Sequence, residues 1–500
     1  VPLRGHAEEG LNVDRFVLRA IDELAVSGAG LAVITVPAPP LPIDDAARAP
    51  FPACGSADDP APIVRWSSPA PEADGRAWCF AGSGEAARVE GSGEGRFDEV
   101  RGGADEIFAS AVERRHEDAA FAPPLRLWGG LAFRPEPSRA APWTAFRDAS
   151  FALPRWLYGT DGERAFVQLA VRGRDRVDPE ALRALFAWLA GEGKREREEG
   201  RGQRERERER ERGAGGEGGE RGAGGEAMLQ RTQPEVWSAM IGDALARIRA
   251  HELEKVVPMA LCRVAAEGAL DAPATLARIA ALYPDCFRFA FQRGPAVFLG
   301  ASPERLVEKR GLAVQADALA GSAPRRFDGD GLDARAAAAL LESDKDRREH
   351  RAVVDAIEGA LRPLAQRIRV PGAPVVRTLR NVHHLSSPIV ATLAEPAHVL
   401  DLVRALHPTP AVCGTPRDAA IRWIAEHEPA TRGWYAGAVG WFEAAGDGAF
   451  AVAIRSGVLA RREAWLYAGA GIVEGSDAAQ EYAETRLKQA PMLAALGLLP

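Results

Sequence analysis

Apolar residues along this chain gather in short runs set off by Pro- and Gly-rich turns, with stretches of helical spacing between them. Toward the N-terminus LAVITV (31–36), LRLWGGLAF (125–133) and AFVQLAV (165–171) read as strands. PEALRALFAWLA (179–190) has the apolar spacing of a helix. Further on, the pattern predicts a helix from Gln233 to about Ala250 and a strand starting at Lys255. Strands FRFAFQ (287–292), AVFLGA (296–301), FAVAIRSGVLA (450–460) and AWLYAGAGIV (464–473) then alternate with helices over 333–366, 415–427 and 477–496. Neither half keeps a βαβ rhythm or a short repeat, which places the chain in the α+β class.

One segment breaks the pattern. Gly191 to Glu226 reads GEGKREREEGRGQRERERERERGAGGEGGERGAGGE, with two alanines as its only apolar residues. It cannot contribute to a core and is expected to be a disordered surface insertion or linker. Ten basic and eleven acidic residues cancel there, so it is no polycation for nucleic acid or membrane. The insertion separates an N-terminal part, 1–190, from a C-terminal part, 227–500. A length of 500 residues alone suggests about three domains.

Composition narrows the function. The net charge of −7 argues against a nucleic-acid binder. No apolar stretch is long enough for a membrane span, and the polar start VPLRGHAEEG does not read as a signal peptide. Five scattered cysteines with no C-x-x-C pair fit neither a disulfide framework nor a zinc site and suit a reducing cytoplasm. Only five of the 63 basic residues are lysines: Lys194, Lys255, Lys309, Lys345 and Lys488. Arginine stays charged in proteins while lysine can be tuned into a base, so these few positions are candidates for chemistry.

No G-x-S-x-G, H-E-x-x-H or Walker loop is present, and AGAGIVEG (468–475) lacks the third glycine of a dinucleotide loop. Two helices carry paired carboxylates at i,i+3: Asp346 with Glu349, and Glu481 with Glu484, the latter followed by Lys488 at i,i+4. Such pairs suit either a solvated charged face or a hard cation such as Mg2+, which takes oxygen ligands and keeps waters. His350 lies about 100° round from Glu349 and need not share its face. Glu304 follows Pro303 at the head of an apolar strand, a site that would raise a carboxyl's pKa and suit a general acid. Lys255 heads another apolar strand, where an inward lysine is costly unless paired or neutral. The turn Ala320–Gly321–Ser322 lets backbone N–H groups approach an anion.

Together these motifs resemble the chorismate-utilising enzymes over about residues 228–496. The resemblance runs through KVV (255–257), FLGASPERLV (298–307), ALAGSAPR (318–325), SDKDRREH (343–350) and NVHHL (381–385). It continues through LHPTPAVCGTP (406–416), EPATRGWYAGAVGWF (428–442), AIRSG (453–457), AGAGIV (468–473) and ETRLK (484–488). WGGLAF (128–133), Trp143 and LPRW (153–156) are similar to the isochorismate synthase branch. The resemblance implies two antiparallel-rich β-sheets packed as a sandwich with helices outside. Residues 1–190 would then belong to that fold and not to a separate domain. Family members usually carry an arginine about five residues after the base lysine; here Pro258 interrupts the strand and the arginine is Arg263. Cys413 stands where a glycine is usual.

The resemblance also implies roles. Lys255, matched to the lysine of water-adding members, would be the general base, and Glu304 the acid that protonates the departing C4 hydroxyl of chorismate. Glu349 and Glu484 would hold Mg2+, supported through waters by Asp346 and Glu481. Tyr435, Arg455, Gly469 and Gly471 would hold the enolpyruvyl carboxylate. Ala320, Gly321, Ser322, His384 and Lys488 would complete the substrate pocket. Ala320 occupies the turn in which aminodeoxychorismate synthases carry a nucleophilic lysine. The implied activity is Mg2+-dependent conversion of chorismate to isochorismate, with no glutaminase subunit and with a monomer or weak dimer expected. Salicylate synthase is the alternative; an anthranilate or aminodeoxychorismate synthase component, or a non-catalytic homologue, is further off.

Overall fold

The computed structural model describes residues 6–26, 30–52, 64–69, 75–136, 140–173, 175–191, 227–327 and 331–498. The Arg-Glu segment, Gly191 apart, lies outside the described residues.

Two runs of hydrogen-bonded strands meet on the long strand Ala149–Thr160. One edge of that strand pairs with Cys79–Gly91, which leads through Val64–Ser67, Phe287–Arg293, Ala296–Ser302, Ser456–Ala460, Glu463–Gly469 and Met259–Ala266 to Ala227–Arg231. Residues 149–152 pair with Arg126–Leu131, which leads through Ala438–Glu443, Gly448–Val452, Arg305–Arg310 and Ala313–Pro324 to Val382–Leu393. Residues 156–160 pair with Ala165–Arg172, which leads to Leu31–Ala38. Every ladder among the described residues is antiparallel except Leu31–Ala38 with Ala111–Arg115. The α+β, antiparallel-rich expectation holds, with helices packed on the sheets.

The largest apolar cluster draws on both ends of the chain. Trp143 packs edge-on against Phe298 at 5.3 Å, and Phe146 against Trp434 at 5.2 Å. Ring pairs of this kind add about 0.5–1.5 kcal/mol each beyond their buried area.

The sequence pattern is corrected in three places that matter for function. Ala320–Gly321–Ser322, expected as a turn, lies within the strand Ala313–Pro324 as a bulge against Val382–Leu393. FAVAIRSGVLA, expected as one strand, is two: Gly448–Val452 and Ser456–Ala460. They lie in different strand runs, and the chain crosses between them at residues 453–455, with Arg455 in the left-handed region at φ 51°. A second crossing occurs between Ala296–Ser302 and Arg305–Arg310, at Pro303–Glu304. The two crossings are stitched together: the Val452 N–H donates to the Glu304 carbonyl at 3.1 Å, and the Ala301 N–H to the Arg455 carbonyl at 3.1 Å.

The helix expected over 333–366 is likewise two, Leu332–Glu342 and Asp344–Leu361, followed by a strand at Ala365–Arg369. The cause is Ser343, extended at φ −66°, ψ 111°, whose hydroxyl accepts from the Asp346 N–H. Sequence spacing had passed over the helix Arg96–Ser110, whose pattern is blurred by Gly102 and Gly103; Gly103 packs against Val89.

The cap at Ser343 starts the helix that carries Asp346 and Glu349. Ser343→Ala is expected to lower stability by about 1 kcal/mol, read as a lower midpoint in urea denaturation; an unchanged midpoint would show that the cap does not hold this break.

Candidate active site

The two sheet crossings, the end of the Lys255 strand and two helices enclose a cavity of ≈ 240 Å³. The helix Asp344–Leu361 supplies Asp346 and Glu349 to its wall, and Ala478–Ala495 supplies Glu481, Glu484 and Lys488. Asp477 caps the latter helix by accepting from the Gln480 N–H at 2.9 Å. Glu304, Ala320, Gly321, Ser322, His384, Tyr435, Arg455, Gly469 and Gly471 also line the cavity. Of the residues given a catalytic, metal-binding or substrate-binding role in the sequence, Lys255 alone stands behind the wall. Its ammonium meets the Glu349 carboxylate at 2.7 Å, with side chains 4% and 16% exposed.

Glycine is required at two points around this lysine. A Cβ at Gly471 would fall 2.8 Å from Glu349 Oε1 and 3.1 Å from Lys255 Cε. Gly414, at φ 140°, pairs with Val256, and a side chain there would collide with the Lys255 carbonyl. Cys413, in place of a glycine, is accommodated as a buried thiol. The strand is interrupted at Pro258, giving Lys255–Val256 and Met259–Ala266. Arg263 therefore lies far along the strand, half-exposed and paired with Glu463, outside the cavity wall.

Each carboxyl has its own environment. Glu304 is 2% exposed. Burial, reinforced by Asp317, raises its pKa to about 8 against the partial opposition of Lys255, Arg377 and Lys488. Its Oε1 has no hydrogen-bond partner. Burial also pushes Glu349 up, but the Lys255 ammonium, helped by Lys488 and Lys345, outweighs it and holds that carboxyl below its ordinary value. Asp346 is raised by burial, with Glu349 adding to the shift. Glu481 is raised by burial and by Glu484. Lys488 pairs with Glu484 at 2.6 Å and donates to the Gly469 carbonyl at 3.0 Å, while Lys345 reaches Glu481 at 3.4 Å.

On the opposite chemistry, Arg455 Nη2 lies 3.1 Å from His384 Nε2. Burial and the neighbouring Arg455 and Lys488 cations push His384 well below its ordinary pKa, so the ring is neutral. With Nε2 accepting from Arg455, Nδ1 carries the proton and donates to the Gly321 carbonyl at 3.2 Å, with Ser322 Oγ at 3.0 Å. Tyr435 stacks on Tyr467, ring centroids 5.1 Å apart. His350 points elsewhere, buried against Ser387 Oγ at 2.9 Å. Sequence reasoning passed over Tyr467, Val257, Leu319 and Ile454, which form apolar wall and read in the sequence as ordinary core. It also passed over Asp317, the neighbour that raises Glu304.

A buried protonatable carboxyl, a lysine and an arginine thus gather around one small, carboxylate-rich cavity, as in an enzyme site. The family model described as "Chorismate binding enzyme" matches residues 66–497, and the chain belongs to that family. It is 37% identical over 445 residues to a salicylate biosynthesis isochorismate synthase of Pseudomonas aeruginosa, covering 88% of this chain and 86% of the relative. It is 32% identical over 376 residues to the isochorismate synthase MenF of Bacillus subtilis, covering 74% of each. The structure of MenF, the menaquinone-specific isochorismate synthase from Escherichia coli, superposes with a TM-score of 0.70 at 26% identity, covering 96% of this chain and 100% of that one.

The raised Glu304 pKa has a consequence for stability. Its carboxyl titrates at 4.5 ordinarily and at about 8 in the fold. Its contribution is thus fully present below the lower value and is lost as pH rises through the higher one. Wild type is expected to lose more stability than Glu304→Gln between about pH 5 and 8, read by chemical denaturation at each pH. Parallel pH profiles for the two proteins would contradict the assignment.

Proposed function

We propose that this protein is an isochorismate synthase, adding water at C2 of chorismate and expelling the C4 hydroxyl. The observation that carries the reading is the division of labour between Lys255 and Glu304. The buried Glu304 carboxyl holds a proton at neutral pH, and Lys255 opposes its shift more than Arg377 or Lys488 does. An acid kept protonated and a base kept close match the two proton transfers required. Lys255, in its neutral form, takes a proton from the attacking water, while Glu304 gives its proton to the C4 oxygen, which departs as water. One water enters and one leaves, so the net change is an isomerisation. The base role requires the Lys255–Glu349 contact to part, since the pair as it stands joins two charged groups.

Arg455 and Tyr435, with the Gly469–Gly471 backbone, hold the enolpyruvyl carboxylate; a planar guanidinium suits a carboxylate. Ala320–Ser322, His384 and Lys488 complete the substrate pocket. Among the described residues no three His, Cys, Asp or Glu side chains form a metal cluster. Mg2+ commonly takes only one or two protein carboxylates, with waters and substrate filling the rest. The donor set fits: Asp346, Glu349, Glu481 and Glu484 line the same cavity from two helices, and two of them are raised by burial and by a neighbouring carboxylate. Glu349 and Glu484 would hold the cation, with Asp346 and Glu481 supporting through waters. A bound Mg2+ supplies charge neutralisation at the substrate's ring carboxylate. The four described cysteines, Cys79, Cys262, Cys286 and Cys413, are unpaired, which suits the cytoplasm. No described helix is long and apolar enough to cross a membrane.

Lys255→Ala is expected to lower chorismate turnover by about 10²–10⁴-fold while Mg2+ binding, followed by calorimetry, persists. Near-normal turnover would remove Lys255 from the base role. Chromatography of the wild-type reaction should show isochorismate; salicylate with free pyruvate would establish the salicylate synthase reading in its place.

A further inference from the structure

The short strand of Lys255 pairs with Gly414–Thr415 on one side and bridges to Ile472 on the other, but it fails three residues after the lysine. Pro258 has no N–H, and the regular ladder stops between Val256 and Met259. The break leaves the Val257 carbonyl and the Met259 N–H without strand partners at a buried site, where unpaired backbone groups are costly. Both are taken up by a single ion pair from elsewhere in the chain. Arg432 donates to the Val257 carbonyl at 2.5 Å, and Glu428 Oε1 accepts from the Met259 N–H at 2.9 Å. Arg432 and Glu428 bind each other through two contacts, at 2.9 and 2.5 Å, with both side chains 3% exposed.

The same guanidinium donates to the Val412 carbonyl at 2.8 Å, and the Arg432 carbonyl accepts from the Tyr435 N–H at 2.9 Å. The strand after Lys255 and the turn before Gly414 thus converge on one pair of side chains, and the turn that carries Tyr435 is tied to the Arg432 backbone; neither Glu428 nor Arg432 lines the main cavity. The arginine expected on the Lys255 strand has meanwhile moved out to the exposed position of Arg263.

We propose that Glu428 and Arg432 are positioning residues for the base: they replace the backbone hydrogen bonds lost at Pro258 and so set where the Lys255 ammonium points. The proposal rests on the reading of Lys255 as base, and its test separates the two. Glu428→Gln keeps an oxygen for the Met259 N–H but removes the ionic tie to Arg432; Arg432→Lys keeps the charge but cannot reach both carbonyls in fork geometry.

Three readouts decide it. In unmodified protein the Met259 amide should exchange slowly with solvent by hydrogen-exchange mass spectrometry; rapid exchange would overturn the proposal whether or not either variant folds. In folded variants, labelling of Lys255 by an amine-reactive reagent should change in rate relative to Lys309. In the same variants kcat should fall about tenfold to 10²-fold, with KM for chorismate moving less than about twofold. Unchanged Lys255 labelling together with wild-type kcat in a folded variant would overturn the proposal. An altered labelling rate in the folded variants, together with a wild-type protein that does not convert chorismate, would instead refute the function and leave the positioning role standing.

Discussion

The site depends on a buried contact between Lys255 and Glu349, a lysine on a strand end and a glutamate on a helix brought to 2.7 Å. Removing one partner of such a buried pair commonly costs about 3–5 kcal/mol, because it strands the other charge. The surroundings are shaped to the contact: Gly471 leaves room for it and Gly414 lets the turn after residue 412 lie against the Lys255 backbone. On the proposed reading of Lys255 as the base, the pair is also the point of tension between stability and reaction, since the contact that holds the lysine must part before it can act.

Around that contact the pocket balances charge closely. Asp346, Glu349, Glu481 and Glu484 face Lys345 and Lys488 along two helices, and Glu304 stays out of the ledger because burial keeps it protonated at neutral pH. Arg455 faces a neutral His384, a ring that accepts a hydrogen bond from the guanidinium without cancelling its charge. Two of these groups, Glu304 and Arg455, sit where the chain passes from one strand run to the other. Regular ladder hydrogen bonding ends at such crossings, and side chains there can turn into a cavity instead of alternating between sheet faces.

Much of this was legible in the residues. Asp346 with Glu349, and Glu481 with Glu484, announce themselves by helical spacing, and the rarity of lysine drew attention to Lys255, Lys345 and Lys488. Glu304 stood out as a carboxyl heading an apolar strand. What could not be read was set by contacts distant in sequence. Nothing local pairs Lys255 with Glu349, 94 residues away, or ties Met259 to Glu428, 169 residues away. The apolar wall of Val257, Leu319, Ile454 and Tyr467 has the composition of any core. The strand break at Arg455 was hidden because apolar AVAI and GVLA flank Arg455 and Ser456, and two polar residues within such a run do not by themselves end a strand pattern. The split at Ser343 had a local signal, a serine three residues before a helix-facing aspartate, in a run otherwise helical.

Where the incoming oxygen comes from tests the account most directly. Chorismate turned over in heavy-oxygen water should give isochorismate carrying one solvent oxygen at C2, and Lys255→Ala should give none above background. Isochorismate without solvent oxygen would mean that the hydroxyl migrates within the substrate, and would contradict water activation by Lys255.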